Sequence, residues 1–274
     1  MTICAITGSK GILGRRIKQY LPFKFYEFTD DITIYSEVKK WVEKKDFDLI
    51  IHLAAVVPTN IVEKNYSRAS KVNVLGTKNL VKAIIKKKNK PKWFFFSSTS
   101  HVYEPTLKYH RIKETRKTLP YSKYGKTKKK AEEYIKKKFK KSGIKFCIGR
   151  IFSFTDKFQK EPFAIPAIKK KINRPNKKKI FVKNLNHYRD FLSTKDITRA
   201  IYRLYKFGAF GIYNIGSGKG ICLKKIAELL AKKYEKKIHF IDNQKISYLV
   251  SDNTKILKIG FKYKRHKKKL EYFY

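Results

Sequence analysis

The sequence predicts an α/β protein whose doubly wound parallel sheet carries helices on both faces, with a small C-terminal cap interleaved with the end of that sheet. Two observations predict this fold class. Apolar runs of strand length alternate with amphipathic helical stretches through residues 1–151, and the links between them are short. A three-glycine turn follows the first apolar run directly, as it does in the first strand–helix connection of such sheets.

The predicted elements follow in order along the chain. The predicted strands are Ile3–Thr7, Lys24–Phe28, Asp48–Leu53, Trp93–Ser97 and Lys145–Ile151. The predicted helices are Gly11–Tyr20, Tyr35–Lys45, Ser70–Lys87 and Lys123–Lys140. Apolar residues recur at helical spacing in the third of these helices, at Val72, Leu75 and Leu80 among others, so one of its faces is expected to be buried.

The last third of the chain is less regular. Prolines interrupt the stretch from Phe152 to about Asn186, which we expect to be irregular. A helix at Ser193–Tyr205, a strand at Gly211–Ile215 and a helix at Leu223–Lys233 follow. We therefore predict one domain over residues 1–151 and a second region over 152–274, interleaved with the end of the sheet at about 187–216.

Composition indicates the compartment. No apolar run approaches the roughly 20 residues of a membrane-spanning helix. The chain enters its first strand at Ile3 with no basic leader before it, so no signal peptide is expected. Cys4, Cys147 and Cys222 are scattered and lack metal-ligand spacing. These features predict a cytoplasmic protein without a membrane span or a bound metal.

The formal net charge of +46 raises the question of nucleic-acid binding. The lysine runs are spread along most of the chain, from Lys86–Lys88 to Lys267–Lys269, rather than gathered in one element. Lysine outnumbers arginine 56 to 11, whereas base and phosphate recognition favours the bidentate arginine fork. We expect a solvated lysine coat that binds polyanions weakly, and no specific nucleic-acid partner.

The glycine turn has the spacing of a dinucleotide-binding loop. Gly8 permits the tight turn, Gly11 lets the backbone approach a pyrophosphate, and Gly14 lets the helix pack closely on the strand. The helix N-terminus, at Ile12 and Leu13, offers free N–H groups to the phosphates. The turn therefore predicts a Rossmann-type domain that binds NAD or NADP.

The choice between the two dinucleotides is open. Asp30, after the second strand, is a candidate for the acidic residue that would bind the adenosine ribose. The pair Arg15 and Arg16 could instead meet a 2′-phosphate. Each of these residues is equally compatible with a solvated position, so the sequence does not distinguish NAD from NADP.

A hydroxyl, a phenol and an amine have the spacing of an acid–base site. Thr99 follows the end of the predicted strand Trp93–Ser97, and Tyr124 and Lys128 lie four residues apart on one face of the next long helix. A tyrosine with a pKa near 10 is a poor base at pH 7, and we expect the Lys128 ammonium and an oxidised nicotinamide to favour its phenolate. Tyr124 would then exchange a proton with a carbinol or ketone oxygen that Thr99 also holds.

With these motifs in place, the chain resembles an extended short-chain dehydrogenase/reductase of the NAD-dependent epimerase/dehydratase family, from Ile3 to about Tyr263. Further segments carry the resemblance. They are Asp31-Ile32, His52-Leu-Ala-Ala55, Asn73-Val-Leu-Gly-Thr77, Arg189-Asp-Phe-Leu192, Tyr213-Asn-Ile-Gly-Ser-Gly218 and the closing segment Ser251–Gly260.

The resemblance implies site residues beyond those found by spacing. It implies dinucleotide contacts from Tyr124 and Lys128 themselves and from Asp31, Ile32, Leu53, Ala54, Ala55, Asn73, Ser97 and Phe152. It implies substrate contacts from Thr99, Ser100, Ser153 and Arg189, with the arginine on the diphosphate of a sugar nucleotide. It also implies that the region 152–274 binds the substrate and that the protein forms a homodimer.

The sequence departs from the family pattern in the substrate region. The family asparagine after Arg150-Ile-Phe is Ser153, and the family glycine that follows is Asp156, so the substrate pose is open. His52 and His101 have no partner at metal spacing and are expected to be framework residues.

Several functions fit the resemblance. The leading hypothesis is a reductase of a nucleotide-linked 4-keto-deoxyhexose, and a sugar-nucleotide 4-epimerase with the same triad is the alternative. A dehydratase is less favoured, because such enzymes commonly follow the threonine with Asp-Glu and this chain has Ser100-His101. A non-catalytic dinucleotide-binding scaffold is the hypothesis from a different class.

Overall fold

The computed structural model describes residues 1–175 and 178–263. Residues 176, 177 and 264–274 lie outside the described part, and with them the Lys267–Lys269 run and the end of the predicted second region.

The described chain contains strands and helices in regular succession. The strands are β1 (Ile3–Thr7), β2 (Lys24–Phe28), β3 (Leu49–His52), β4 (Trp93–Thr99), β5 (Arg111–Ile112), β6 (Lys145–Ile151), β7 (Ser153–Thr155), β8 (Lys179–Lys183), β9 (His187–Ser193), β10 (Gly211–Ile215), β11 (Gly220–Cys222), β12 (Lys237–Ile241) and β13 (Ser247–Ser251). The α-helices are α1 (Ile12–Tyr20), α2 (Tyr35–Glu43), α3 (Thr59–Lys64), α4 (Tyr66–Ser70), α5 (Thr77–Lys86), α6 (Lys123–Phe139), α7 (Ala164–Ile172), α8 (Thr194–Phe207), α9 (Leu223–Lys233) and α10 (Thr254–Lys258). A π-helix spans Lys71–Gly76 and a 3₁₀-helix spans Ser100–Val102.

The predicted doubly wound sheet is confirmed. Within the described residues its strand order is β10-β6-β4-β3-β1-β2, and every pair is parallel. The aromatic strand β4 lies at its centre, and Phe94, Phe95 and Phe96 are fully buried between two helical layers. Because parallel strands end at the same edge, the carboxyl ends of β1, β3, β4 and β6 face one crevice.

The predicted helix Ser70–Lys87 is not a uniform α-helix. Its first part, Lys71–Gly76, is wound as a π-helix, and α5 continues from Thr77. Asn73 lies within this turn, with its side chain 1% exposed. The periodicity of the apolar residues is the same for an α-helix with and without a π-helical turn, so the sequence pattern did not predict this turn.

The expectation that Phe152–Asn186 is irregular is wrong. This stretch contains β7, α7 and β8. Pro166 is the third residue of α7, within the first turn, where the missing N–H costs no helical hydrogen bond. A proline there marks the beginning of a helix and not a break.

A second sheet, also unpredicted, joins β5 and β7 to strands from the last third of the chain. Its order is β11-β9-β13-β5, with β7 paired to β9, and the ribbon β8–β12 lies apart from it. Strand β9 was not predicted at all. The helices α7 and α9 form a separate small core, with Ile172, Ile226 and Leu230 fully buried. None of the described helices is long and apolar enough to cross a membrane. The domain boundaries at 151 and 152 stay a prediction.

Candidate active site

Thr99 stands where β4 reaches the crevice. It is the last residue of β4 and caps the 3₁₀-helix that follows, its Oγ1 accepting a hydrogen bond from the His101 N–H at 3.2 Å. This cap fixes the hydroxyl at the carboxyl end of the sheet. Thr99 is 6% exposed and Ser100, beside it, is 2% exposed.

Helix α6 brings Tyr124 to the same place. Ser122 caps the helix by accepting a hydrogen bond from the Gly125 N–H at 3.1 Å, and Gly125 lies directly against the carbonyl of His101, where a Cβ would be 2.1 Å from that oxygen. Glycine at this position therefore lets α6 approach the end of β4. The Tyr124 phenol, buried, hydrogen-bonds to Thr99.

Lys128 lies one turn further along α6. Its side chain is 2% exposed, and its Nζ lies 4.1 Å from the centre of the Phe96 ring. Within residues 1–175 and 178–263 this ammonium has no hydrogen-bond acceptor, although it is buried. A buried cation with unused donors fits a ligand that carries hydroxyl groups, such as a ribose.

The acid–base balance of the pair differs from the sequence expectation. Burial raises the pKa of the Tyr124 phenol, and only the hydrogen bond to Thr99 opposes this. Burial also lowers the pKa of Lys128 to about 7, against the opposing charge of Glu132. In the polypeptide alone, Lys128 therefore does not favour the phenolate. The dry environment disfavours both charged forms, and a bound cationic nicotinamide is needed to favour the phenolate.

Glu132 belongs to a buried polar network that sequence reasoning missed. Its carboxylate accepts hydrogen bonds from Arg150 Nη2 at 2.7 Å and Nε at 3.1 Å and from the Ser98 hydroxyl, and both ion-paired side chains are at most 2% exposed. Arg150 continues to the Tyr103 hydroxyl at 2.8 Å, which donates to Asn214 at 2.8 Å. The i+4 spacing of Lys128 and Glu132 does not indicate this network, because the carboxylate pairs with Arg150 on β6, 18 residues along the chain.

The glycine loop lies beside the end of β3. Gly8 has a φ of 70°, and a Cβ there would be 2.7 Å from the Ala54 nitrogen. Leu53 and Ala55 flank Ala54 in the same segment, half-buried next to the loop. At Gly14 a Cβ would be 2.5 Å from the Gly8 carbonyl, so this glycine packs the helix on the turn.

The N-terminus of α1 has unused donors. Its cap residue Gly11 makes no side-chain hydrogen bond, and the first turn contains no acidic residue. The leading N–H groups, at Ile12 and Leu13, thus point out of the helix without a capping side chain. A Cβ at Gly11 would meet only the Gly8 carbonyl, at 3.3 Å, which leaves room for a ligand along this backbone. The loop and the buried Lys128 fit a dinucleotide.

The other residues predicted to contact the cofactor differ in how deeply they are buried. The Asp31 carboxylate is exposed and accepts hydrogen bonds from the N–H and hydroxyl of Thr33, both at 2.8 Å, which lowers its pKa. Ile32 is buried in the core against Gly76. Ser97 is half-buried on β4.

Asn73 and Phe152 are more deeply placed. The Asn73 side chain bonds the Val56 N–H at 2.7 Å, the Val56 carbonyl at 3.0 Å and the Thr127 hydroxyl at 3.0 Å. Its amide is thus engaged with protein groups, which favours a role in positioning the loop after β3 over direct contact with a dinucleotide. Phe152 is buried beside Tyr103.

Arg16 is not available for a 2′-phosphate. Its guanidinium forms a bidentate pair with Asp156, with Nε–Oδ2 and Nη2–Oδ1 distances of 2.8 and 3.0 Å, and Thr194 donates a hydrogen bond to the same carboxylate. The carboxylate that replaces the family glycine is therefore used to join α1 to the loop after β7. Arg15 and Asp30 are exposed, and neither supports one dinucleotide over the other.

Arg189 enters the crevice from β9. Its guanidinium donates to the Tyr188 carbonyl at 2.9 Å and to Ser247, and no carboxylate of the described residues forms an ion pair with it. Burial lowers its pKa, against the influence of Tyr121. A half-buried cation that contacts only neutral groups fits an anionic ligand. Ser153, the first residue of β7, is half-buried.

The two histidines differ in place. His52 is fully buried and bonded to Thr7 at 2.6 Å and to Thr77 at 2.9 Å, so it is a framework residue as predicted. His101 contacts the rings of Tyr121 and Tyr124, with centroid separations of 5.8 and 5.9 Å. The sequence predicts a framework role for His101 because it has no partner at metal spacing, and that spacing carries no signal of the contact with Tyr124.

Comparison with known proteins places this geometry among nucleotide-sugar enzymes. Residues 13–273 match the model of the family described as GDP-mannose 4,6 dehydratase. The chain is 27% identical over 247 residues to GDP-6-deoxy-D-mannose reductase of Pseudomonas aeruginosa, covering 82% of this chain and 78% of the relative. It is 26% identical over 272 residues to GDP-6-deoxy-D-talose 4-dehydrogenase of Aggregatibacter actinomycetemcomitans, covering 93% and 90%.

The fold also matches solved structures. The structure of RMD from Pseudomonas aeruginosa, complexed with NADPH, superposes with a TM-score of 0.87 at 22% identity, covering 100% of this chain and 97% of that one.

Proposed function

The chain belongs to the GDP-mannose 4,6-dehydratase family of extended short-chain dehydrogenases/reductases, and from that premise we propose that it reduces the C4 ketone of a GDP-linked 6-deoxyhexose with NADH or NADPH. The observation that carries the proposal is that Thr99, Tyr124 and Lys128 are buried together at the carboxyl end of β4. The Arg189 guanidinium, which pairs with no carboxylate of residues 1–175 and 178–263, supports it. The relatives support the substrate class, since both are named for 6-deoxyhexoses of GDP.

In the proposed reaction, the reduced dinucleotide supplies a hydride to the C4 carbonyl carbon. Tyr124 donates its phenolic proton to the ketone oxygen as the carbinol forms, and Thr99 holds that oxygen by a second hydrogen bond. The raised pKa of Tyr124 keeps the phenol protonated and ready to donate at neutral pH. Lys128 would bind the ribose hydroxyls, and the oxidised, cationic nicotinamide would favour the phenolate left after the transfer.

The residues around the ketone favour reduction over dehydration. A 4,6-dehydratase must remove a proton from C5, and carboxylates commonly follow the threonine in such enzymes. Here Ser100 and His101 occupy those positions, so the chain lacks that acid–base pair. Arg189 would bind the diphosphate, which places the hexose between β9 and the Tyr124 phenol.

The test is turnover of GDP-4-keto-6-deoxy-D-mannose. NADH or NADPH oxidation should require this substrate, and NMR of the product should give a single C4 stereoisomer, GDP-6-deoxymannose or its C4 epimer GDP-6-deoxytalose. An epimerase would instead interconvert two 4-hydroxy sugar nucleotides without net NAD(P)H consumption. Absence of ketone-dependent oxidation with both dinucleotides would contradict the proposal.

We also propose that the chain works in the cytoplasm as a homodimer. Three free cysteines, two of them buried, support a reducing compartment. Light scattering coupled to size exclusion tests the dimer, and a mass near 32.4 kDa would contradict it.

A further inference from the structure

His101 is part of the crevice wall beside the catalytic tyrosine. Its ring lies edge-on to Tyr124 and stacked on Tyr121, whose hydroxyl is 3.3 Å from His101 Nδ1. The other ring nitrogen, Nε2, makes no hydrogen bond to a described residue, and the side chain is only half-buried. One nitrogen is therefore held by the protein and the other is open to a ligand.

The order of groups along the crevice places His101 beside the sugar. Tyr124 contacts His101 directly, and the charge of Arg189 acts on His101 and Tyr121. A sugar nucleotide with its C4 at Tyr124 and its diphosphate at Arg189 has the hexose ring between these two points. His101 contacts Tyr124 at one end of this span, and the charge of Arg189, at the other end, acts on its ring.

We propose that His101 is a substrate-contacting residue whose Nε2 hydrogen-bonds the C3 hydroxyl of the hexose, next to the reacting C4. This rests on the proposed function, since it names a group of that substrate. C3 is chosen over the other neighbour of C4 because C5 of a 6-deoxyhexose carries a methyl group, which cannot pair with a ring nitrogen. The contact would select hexoses that keep the C3 hydroxyl.

The chemistry of the imidazole agrees with this role. Burial, followed by the charge of Arg189, lowers the pKa of His101 to about 4, so the ring is neutral near pH 7. A neutral ring that shares one nitrogen with Tyr121 can donate or accept at the other, as a sugar hydroxyl requires. A residue that served only to pack Tyr121 against Tyr124 would need the ring but not its free nitrogen.

The experiment compares two ketones in four proteins. GDP-4-keto-6-deoxy-D-mannose carries the C3 hydroxyl, and GDP-4-keto-3,6-dideoxy-D-mannose lacks it. The ratio of kcat/KM for the two is measured in the wild type, in His101→Phe, which keeps an aromatic ring, and in His101→Asn, which keeps a hydrogen-bonding group. His239→Phe, on the β8–β12 ribbon, is the matched control.

The wild type should prefer the 3-hydroxy ketone by about tenfold, the size of one net hydrogen bond. His101→Phe should reduce this ratio to about one by losing rate only with the 3-hydroxy ketone, while His101→Asn should restore part of it and His239→Phe should match the wild type. An unchanged ratio in His101→Phe would overturn the assignment.

A binding measurement separates this assignment from the proposed function. Measured by calorimetry, His101→Phe should bind GDP-mannose about tenfold more weakly than the wild type and should bind GDP with unchanged affinity, whether or not either ketone is turned over. Equal weakening of GDP and GDP-mannose would also overturn the His101 assignment. A wild type that is inert with both ketones would contradict the proposed reaction instead.

Discussion

The buried pair of Glu132 and Arg150 gives the sharpest prediction on stability. Glu132→Gln removes a carboxylate that accepts two hydrogen bonds from Arg150 and one from Ser98, in a place where both charged side chains are at most 2% exposed. The guanidinium would remain buried without its counter-charge. Leaving one partner of a buried pair alone costs about 3–5 kcal/mol.

A decrease of this size is a large part of the typical free energy of unfolding of about 5–15 kcal/mol, so urea denaturation measures it easily. Glu133→Gln is the matched control on the same helix. Glu133 is 55% exposed and lies 3.7 Å from Lys129, so its loss should cost no more than about 0.5 kcal/mol.

A second variant separates the effect of an unpaired buried charge from any other effect of the Glu132 substitution on the helix. Arg150→Met combined with Glu132→Gln removes both charges, and the double variant should be more stable than Glu132→Gln alone. A free energy of unfolding of Glu132→Gln within about 1 kcal/mol of the wild-type value, or equal to that of Glu133→Gln, would show that the buried ion pair does not stabilise the fold in this way.

Three further predictions concern the cofactor loop, the lysine and the charge. Gly8→Ala should unfold at a clearly lower urea concentration than the wild type, because the φ of Gly8 is 70° and a Cβ there would be 2.7 Å from the Ala54 nitrogen. Gly11→Ala should stay folded and lose about tenfold in NAD(P)H affinity, measured by fluorescence titration. Equal stability of the two variants would contradict this prediction. Lys128→Met should lower kcat and weaken NAD(P)H binding in a fluorescence titration, because the buried Nζ, which contacts the Phe96 ring, would bind the ribose hydroxyls; wild-type affinity in this variant would show that Lys128 does not contact the cofactor. Binding to a random DNA duplex should be no tighter than about 10⁻⁶ M near physiological salt and should fall steeply as salt rises, and a nanomolar, sequence-specific complex would contradict the solvated lysine coat.

Sequence patterns predicted the parallel sheet and the residues around the triad because these depend on short-range spacing. Thr99 comes at the end of a strand, and Tyr124 and Lys128 lie one helical turn apart. The spacing of residues along the chain is therefore enough to predict them as a group. The network of Glu132, Arg150 and Asn214 joins three distant segments, and no local spacing encodes such a contact.

The departures from expectation have similar causes. Arg16 was a candidate phosphate ligand until the fold placed Asp156, 140 residues away, against it. The pKa of Tyr124 depends on burial and not only on the neighbouring charge, and burial is a property of the folded crevice. Prolines in residues 152–186 predicted irregular structure, yet Pro166 stands in the first turn of a helix, where proline is tolerated.

In the proposed mechanism Tyr124 transfers a proton to a C4 ketone, and the rate of NAD(P)H oxidation by Tyr124→Phe with GDP-4-keto-6-deoxy-D-mannose measures the contribution of that transfer. The variant should lose about 10²–10⁴-fold in kcat while binding NAD(P)H as the wild type does, because only the acid is removed. Tyr134→Phe, on the same helix and in contact with Lys78 and Lys138, should keep wild-type activity. A Tyr124→Phe enzyme that retains more than about a tenth of the wild-type rate would show that Tyr124 is not the proton donor.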